Sequence, residues 1–373
     1  MRNKLKPLKF ILLLVVIIFT FGCDKEISQN SNNSSSIQKQ FDELVNQWVA
    51  EPLIPSIILR IDSKEANIYS GAAGTQSFES QLKTTPDSYF RSASVGKMFT
   101  AVTVLRLAEK EIINLHDRLD KFLPADLVNR LHIYQGISYG PGITIEQLLS
   151  HTSGLPNTDN NPKQNEWVIN QPERNRTPEE LLEFAIEKGP DFKPGTGQQY
   201  SSPGYTLLGL VIEGATNKKY HEVVREEVLD PMSLNHTWEE ANELPANISY
   251  IHSYAGTYDM NQCHPSFEFA DGGFVTTASD LNLFGIALSK NELFTKQETL
   301  TNMMRPRGTD EIGLGPFTGR TDSGVRYFCH PGHWGVMLFV FPEKGISITF
   351  TINQTSVDYL PFLDKIIELT ETL

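Results

Sequence analysis

Two rhythms of apolar residues alternate along the chain. Phe41, Leu44, Val45 and Trp48 recur three and four apart, which puts them on one face of a helix over Gln38–Val49. Ser56–Ile61 and Ala66–Gly71 then read as paired strands joined by a turn at Asp62-Ser63-Lys64. Val95, Met98, Phe99, Val102, Leu105 and Ala108 return to the helical period and predict a helix from Ser94 to about Lys110. A short helix follows Leu115–Asp120 and ends near Pro124. Another is capped by Thr144, buries Leu148 and Leu149 and stops at Gly154. Asn157–Arg176 is polar and aperiodic, the character of a lid or binding loop. Thr177-Pro178-Glu179-Glu180 opens a further helix that closes at Gly189-Pro190. Helices over about Gly204–Thr216, burying Leu207, Leu208, Val211 and Ile212, and about Tyr220–Val228 complete this middle stretch.

From about Ser249 the pattern shifts to strands and glycine turns. Asp271–Leu281 reads as a Gly-Gly turn, a short strand and a helix capped by Ser279. Strands are predicted at about Val325–Cys329, Gly335–Phe341 and Ser347–Asn353, the last two joined through Pro342-Glu343-Lys344-Gly345. A C-terminal helix, about Val357–Leu369, is expected to pack on the sheet through Leu360, Leu363, Ile366 and Ile367. The predicted fold class is α+β. An antiparallel sheet is built from both chain ends with flanking helices, and a mainly helical subdomain, about residues 91–250, is inserted between them. A site at the seam would draw on both parts.

The N-terminus has its own pattern. Met1–Lys9 is basic, and Phe10–Phe21 is an apolar run of twelve residues, too short for a comfortable span and the size of a secretory core. Residues 1–22 are therefore expected to be a signal peptide. Thr20-Phe21-Gly22-Cys23 resembles a bacterial lipoprotein cleavage box, with Thr20 a less typical first residue. Cys23 is then the expected lipid anchor and 23–37 its flexible tether, ahead of a folded domain over 38–373. Ordinary cleavage and an uncleaved anchor are the alternatives. The expected location is outside the cytoplasm, as a membrane-anchored lipoprotein facing the periplasm or the cell exterior.

Composition is that of a globular protein of 373 residues with a net charge of −13, and no Lys/Arg run follows residue 9, which excludes nucleic acid as a partner. Cys263 and Cys329 each open a Cys-His-Pro tripeptide. They are read as one disulfide or as buried thiols. A metal site with His264 and His330 lacks a close-spaced ligand pair, since His330 and His333 would point to opposite faces of a strand. No cofactor is called for.

Chemistry concentrates at Phe90–Thr100. A helix that begins at Ser94 carries its hydroxyl in the first turn, where orphan N–H groups and the helix dipole favour an oxyanion. Lys97 stands three residues on, within reach of that oxygen, and desolvation beside Met98 and Phe99 is expected to lower its proton affinity. Ser-x-x-Lys also occurs at Ser36/Lys39 and Ser80/Lys83, but only the copy at Ser94 opens an apolar helix. Tyr200 lies in the tight turn Pro194–Ser202 with its ring toward the core and its hydroxyl free. His151, at a helix end beside Thr152 and Ser153, reads as a hydrogen-bonded structural residue.

Taken together these segments resemble the serine β-lactamase and penicillin-binding-protein superfamily, in its branch of class C β-lactamases, D-alanyl-D-alanine carboxypeptidases and related esterases. The resemblance covers about residues 40–373. It is carried by Ser94-Val95-Gly96-Lys97, Leu148–Leu155, Pro194-Gly195 with Tyr200-Ser201-Ser202 and Leu207-Leu208-Gly209, Gly272-Gly273 with Ser279-Asp280-Leu281, and His330-Pro331-Gly332. It implies Ser94 as nucleophile, Lys97 and Tyr200 as the proton-transfer pair, and His330 in a strand position often held by lysine. It also implies Gly332, His333 and Ser202 on the substrate and oxyanion side, with the N–H groups of Ser94 and His333 as the oxyanion donors.

Two positions depart from the family pattern. Ser202 replaces the usual Asn and reaches less far toward a substrate amide, and Pro331 removes a hydroxyl and an N–H. Both weaken the case for a β-lactamase proper or a D-Ala-D-Ala carboxypeptidase and leave the acyl-transfer groups intact. The expected activity is hydrolysis of an ester or amide through a Ser94 acyl-enzyme. Its partners would be a small-molecule or peptide substrate, with the cell wall as one source, and the membrane through lipidated Cys23. Two rivals stand beside it. Gly136-Ile137-Ser138-Tyr139-Gly140 matches the Gly-x-Ser-x-Gly elbow, but Pro141-Gly142 prevents a helix from starting in register. The other rival is a non-catalytic, surface-tethered binding protein on the same fold.

Overall fold

The structure, a computed structural model, describes residues 24–308 and 311–373, with side chains from Ser36 onward. The expected signal peptide and Cys23 lie outside the described residues. The chain divides into two units, 1–40 and 41–373. Helix α1 spans Asp24–Trp48, so the stretch expected as a tether is helical in its described part. Adding residues to an existing helix needs no new nucleus, and a polar run can continue a helix that apolar residues further along hold in place. No described helix is long and apolar enough to cross a membrane.

Strands β1 (Ser56–Ser63) and β2 (Asn67–Gly74) form the first hairpin. After β3 (Phe90–Arg91) come α2 (Lys97–Glu109), α3 (Ala125–Leu131), the small hairpin β4 (Ile133–Tyr134) and β5 (Ile137–Ser138), α4 (Ile145–Leu149), α5 (Pro162–Asn170), α6 (Pro178–Lys188), α7 (Ser202–Thr216) and α8 (Tyr220–Val224). Strand β6 (Trp238–Glu239), the hairpin β7 (Tyr254–Ala255) and β8 (Tyr258–Asp259), β9 (Phe274–Thr276), α9 (Ala278–Ser289) and α10 (Gln297–Met304) lead to β10 (Phe317–Arg320), β11 (Arg326–Gly332), β12 (Val336–Phe341), β13 (Ile346–Thr351) and α11 (Leu360–Glu371).

The main sheet has the order β10-β11-β12-β13-β1-β2, with every pairing antiparallel. Its centre joins the chain ends, because β1 lies against β13 with Ile58 opposite Thr351. Ile57, Ile58, Leu59 and Ile61 of β1 are fully buried on both faces, as a central strand requires. Helix α9 covers one face. Its Asn282 accepts from Ser347 and Thr349 of β13 at 3.0 and 2.8 Å and donates to the Arg60 carbonyl of β1 at 3.1 Å. Helix α11 packs through Phe362, Leu363, Ile366 and Leu369. Leu360, expected inward, is 56% exposed because the helix starts there and its inward stripe begins two residues later.

Capping locates the middle helices. Thr144 and Gln147 form a capping box on α4, and Thr177 and Glu180 form one on α6 behind Pro178. Helix α9 is capped by Thr277, whose side chain accepts from the Asp280 N–H, and not by the expected Ser279. The aperiodic loop contains α5, started by Asn161 and Pro162. Strand β10 has no counterpart in the sequence reading. Along β11 it reaches Arg326–Cys329, so among the described residues His330-Pro331-Gly332 presents an open edge where a residue without an N–H is tolerated.

Candidate active site

The serine turn is pinned from one side. Phe90 and Arg91 pair with β9, and the Ser92 N–H donates to the Phe274 carbonyl at 2.8 Å. Ala93 then takes φ +46°, in the left-handed region that costs a non-glycine residue roughly 1–2 kcal/mol. The chain swings into a single 3-10 turn, Ala93–Gly96, that runs directly into α2 and carries Ser94 at its head. Two glycines let other segments press against this turn. A Cβ on Gly272 would lie 2.8 Å from the Ala93 carbonyl carbon, and one on Gly332 would lie 2.8 Å from the Ser92 oxygen.

Lys97 is fully buried, and its ammonium donates to Ser94 Oγ at 3.1 Å, Ser202 Oγ at 3.1 Å and the Asp271 carbonyl at 2.6 Å. Burial pulls its proton affinity down, but Tyr200, Asp271 and Asp159 outweigh that and hold it above the ordinary lysine value. The expectation that desolvation makes Lys97 a neutral base is therefore corrected. Three acceptors and a ring of acids keep it an ammonium.

The Tyr200 phenol lies close enough to Ser94 and Lys97 for both to pull its proton affinity down, and Lys97 Nζ lies 5.1 Å from the ring centre. Burial raises the phenol above its ordinary value, while the Lys97 charge pulls the other way. His151 holds the tyrosine's turn. Its ring lies 4.5 Å from that of Tyr200, its Nδ1 accepts from the Ser201 N–H at 3.0 Å, and its carbonyl accepts from the Gln199 N–H at 2.9 Å. It is buried, with burial holding it well below the usual histidine range, in the structural role read from the sequence. Thus Ser94, Lys97 and Tyr200 meet, although more than a hundred residues separate the first two from the third.

The remaining candidates divide. Ser202 is buried against Lys97, and its N–H donates to Asn157 Oδ1 at 3.3 Å, so it serves the lysine and does not line the cavity. His330 is fully buried and donates from Nδ1 to the Pro331 carbonyl at 2.7 Å. Burial, helped by Lys97, pushes it down to about 3, so it is neutral and cannot supply the charge of a strand lysine. His333 lines the cavity beside Ser94. Among the described residues neither the Ser94 nor the His333 N–H has a backbone acceptor.

The cavity holds about 150 Å³. Asp159, Glu268, Asp271 and Trp334 line it with Ser94 and His333, and Val168, Ile169, Met260 and Phe267 supply apolar wall. The loop 157–176 thus reaches the site, through α5. Sequence reasoning missed Asp159, Glu268 and Trp334, and read Asp271 only as part of a turn. Cys263 and Cys329 are free thiols, the latter pushed up to about 12 by burial, and no disulfide joins them. Ser138 of the Gly-x-Ser-x-Gly match lies in an exposed two-residue strand and donates to the Asn129 carbonyl at 2.9 Å, with a 3-10 turn after it, so no nucleophile elbow forms.

The Beta-lactamase family model matches residues 41–369. The chain belongs to the Beta-lactamase family. Its frame is that of the serine hydrolases. It is 28% identical over 200 residues to Protein flp of Staphylococcus aureus (strain MW2), covering 54% of this chain and 38% of that protein. To Penicillin-binding protein 4* of Bacillus subtilis (strain 168) it is 27% identical over 279 residues, covering 68% of this chain and 57% of the relative. The chain therefore matches about half the length of these curated relatives or less. Among solved structures it resembles a D-stereospecific amidohydrolase from Streptomyces sp., with a TM-score of 0.71, 25% identity, and coverage of 86% of this chain and 94% of the other.

Proposed function

We propose that this family member hydrolyses an ester or amide through an acyl-enzyme on Ser94, with Lys97 and Tyr200 as its proton-transfer pair. The observation that carries the reading is the meeting of the three groups, with the Lys97 ammonium donating to Ser94 Oγ at 3.1 Å. The reactive form is the pair less one proton. Because Lys97 is held as an ammonium, that form is a Tyr200 phenolate beside it. The phenolate takes the Ser94 proton as Oγ attacks the carbonyl carbon, and the N–H groups of Ser94 and His333 face the developing oxyanion. Tyr200 then passes that proton to the departing alcohol or amine. Water repeats the sequence on the ester, losing its proton to Tyr200, and Ser94 leaves reprotonated.

With Tyr200 raised by burial, only a minor share of the pair is reactive at neutral pH. The kcat/KM for a neutral ester is expected to rise with pH into the alkaline range, measured as a pH–rate profile, and a falling profile contradicts the phenolate role. A neutral His330 and Pro331 offer little to a substrate carboxylate, which favours simple esters and amides over β-lactams and D-Ala-D-Ala peptides. The Streptomyces relative, an amidohydrolase, is consistent with an amide acyl donor.

The decisive test is a panel of p-nitrophenyl esters, β-lactams and D-amino-acid peptides run on the protein beside Ser94→Ala. Mass mapping of a fluorophosphonate adduct accompanies it. Hydrolysis lost in the variant and an adduct on Ser94 support the reading. No adduct, and equal rates in both proteins, would point to the binding-protein alternative. The proposal extends to location: residues 1–22 as signal peptide and Cys23 as lipid anchor, facing the periplasm or cell exterior and acting on a small molecule or peptide, with the cell wall as one source. Membrane fractionation of Cys23→Ser tests this, with release of the protein from the membrane as the expected result.

A further inference from the structure

One wall of the cavity beside Ser94 is supplied by a helix with little of its own to hold it there. Helix α5 is nine residues long, below the ~12–15 at which an isolated helix is even marginally stable. Among its residues Val168 alone is buried. Yet Gln164, Asn165, Val168 and Ile169, spaced so that they share one face, all line the cavity. What keeps that face in place has to come from outside the helix.

Arg176 supplies it. The residue is 3% exposed, and its guanidinium donates to four backbone carbonyls. Nη1 reaches Arg174 at 2.7 Å, and Nη2 reaches Gln171 at 2.6 Å, Val168 at 3.1 Å and Trp167 at 3.4 Å. Trp167, Val168 and Gln171 belong to the last turn and cap of α5, where carbonyls lack partners within the helix and the dipole is negative. The Trp167 ring centre lies 4.6 Å from the same guanidinium carbon. The base of this strut is fixed as well. The Arg176 N–H donates to the buried Ser266 hydroxyl at 2.7 Å, and the next residue, Thr177, opens α6 with its capping box. A buried guanidinium is ordinarily matched by a carboxylate, as Arg91 is by Glu240, whereas Arg176 is matched by the end of one helix.

Building on the acyl-transfer reading, we propose that Arg176 is a positioning residue that sets how long an acyl chain the site accepts. It acts through α5, which it fixes so that Val168 and Ile169 bound the hollow into which an acyl group on Ser94 extends. An apolar cavity of about 150 Å³ elsewhere holds one benzene, so with α5 fixed the chain is limited to roughly six carbons. Without the guanidinium the helix loses its anchor, and the wall yields to longer chains.

Two measurements on the full chain test this. The first is kcat/KM for p-nitrophenyl butyrate and octanoate with the wild type, Arg176→Ala and Arg176→Lys. The wild type is expected to favour butyrate by about tenfold or more, the discrimination a hydrophobic pocket makes by size. In Arg176→Ala that ratio should fall by about tenfold, through a lower KM for octanoate, while kcat for butyrate stays within about threefold. Arg176→Lys keeps the buried charge and stands in should the alanine variant not fold. Its ammonium cannot span the carbonyls as a planar fork does, so its ratio should fall between the other two. The second is amide hydrogen exchange, which needs no substrate. Residues 162–171 should exchange at least about tenfold faster in Arg176→Ala, with α7 as the unchanged reference. An unchanged chain-length ratio, equal losses on both esters, or unaltered exchange over 162–171 overturns the proposal and leaves the acyl-transfer reading standing. Faster exchange there in a chain that hydrolyses neither ester upholds the hold of Arg176 on α5 and overturns the acyl-transfer reading.

Discussion

Six residues apart, on either side of the serine turn, two buried cations are treated in opposite ways. Arg91 is matched. Its guanidinium meets the Glu240 carboxylate in a fork, reaches the Met260 carbonyl at 3.1 Å, and both side chains are at most 3% exposed. Lys97 is mismatched. It meets two hydroxyls and a carbonyl, while Asp159 and Asp271 exert their charge nearby without an ion-pair partner among the described residues. A paired charge is a clamp that holds β3 to the loops behind it. An unpaired set shifts its members' proton affinities, and shifted groups in a hollow mark a place where something else is meant to arrive.

The contrast can be broken most sharply at Lys97. Lys97→Met is expected to lower kcat/KM for a neutral ester by roughly 10³-fold, inside the 10²–10⁴ typical of a proton-transfer group. A loss under about tenfold would reduce the lysine to packing. At Arg91 the effect should fall on stability. Arg91→Met strands Glu240 in the interior and should cost about 3–5 kcal/mol in urea unfolding. A loss below about 1 kcal/mol would mean the pair is no clamp.

Glu268→Gln tests the mismatch itself. Below pH 4.5 both folded and unfolded chains keep the proton; between 4.5 and about 8 the unfolded chain ionises while the folded one does not, so native stability declines as pH rises. Glutamine removes that decline. The variant's melting temperature should match the wild type near pH 5 and exceed it at pH 8 by at least about 2 °C in scanning calorimetry. The smallest effect belongs to Ala93, which stands between the two cations and touches neither charge. Ala93→Gly relieves the φ of +46° but frees the unfolded chain, and its net change in urea unfolding should stay within about 1 kcal/mol.

What could be read in advance had a local cause. The boxes at Thr144 and Thr177 announce their helices, and the unbroken apolar run of β1 announces a central strand. Ser94 and Lys97 were legible because three residues of helix bring them together. Tyr200 joined them only through the family resemblance, since nothing near it in sequence points at Ser94. Some signals were present and went unread. Thr277 with Asp280 three residues on marks the start of α9, and Asn161-Pro162 marks the start of α5. Strand β10 carries a glycine in Phe317–Arg320 and owes its existence to β11, so its own residues announce little. The acids and Trp334 come from separate loops, and only the closed chain brings them to one hollow.

The pairing of β1 with β13 governs how such a molecule comes into being. Ile58 must wait for Thr351, and at a synthesis rate of about 5–20 residues per second that is roughly 15–60 s with a sticky apolar ribbon lacking its neighbour. Closure is therefore slow and all at once, postponed until β13 has left the ribosome. In the meantime the polypeptide is a thread, vulnerable to clumping and in need of escort, yet still narrow enough to pass through a pore.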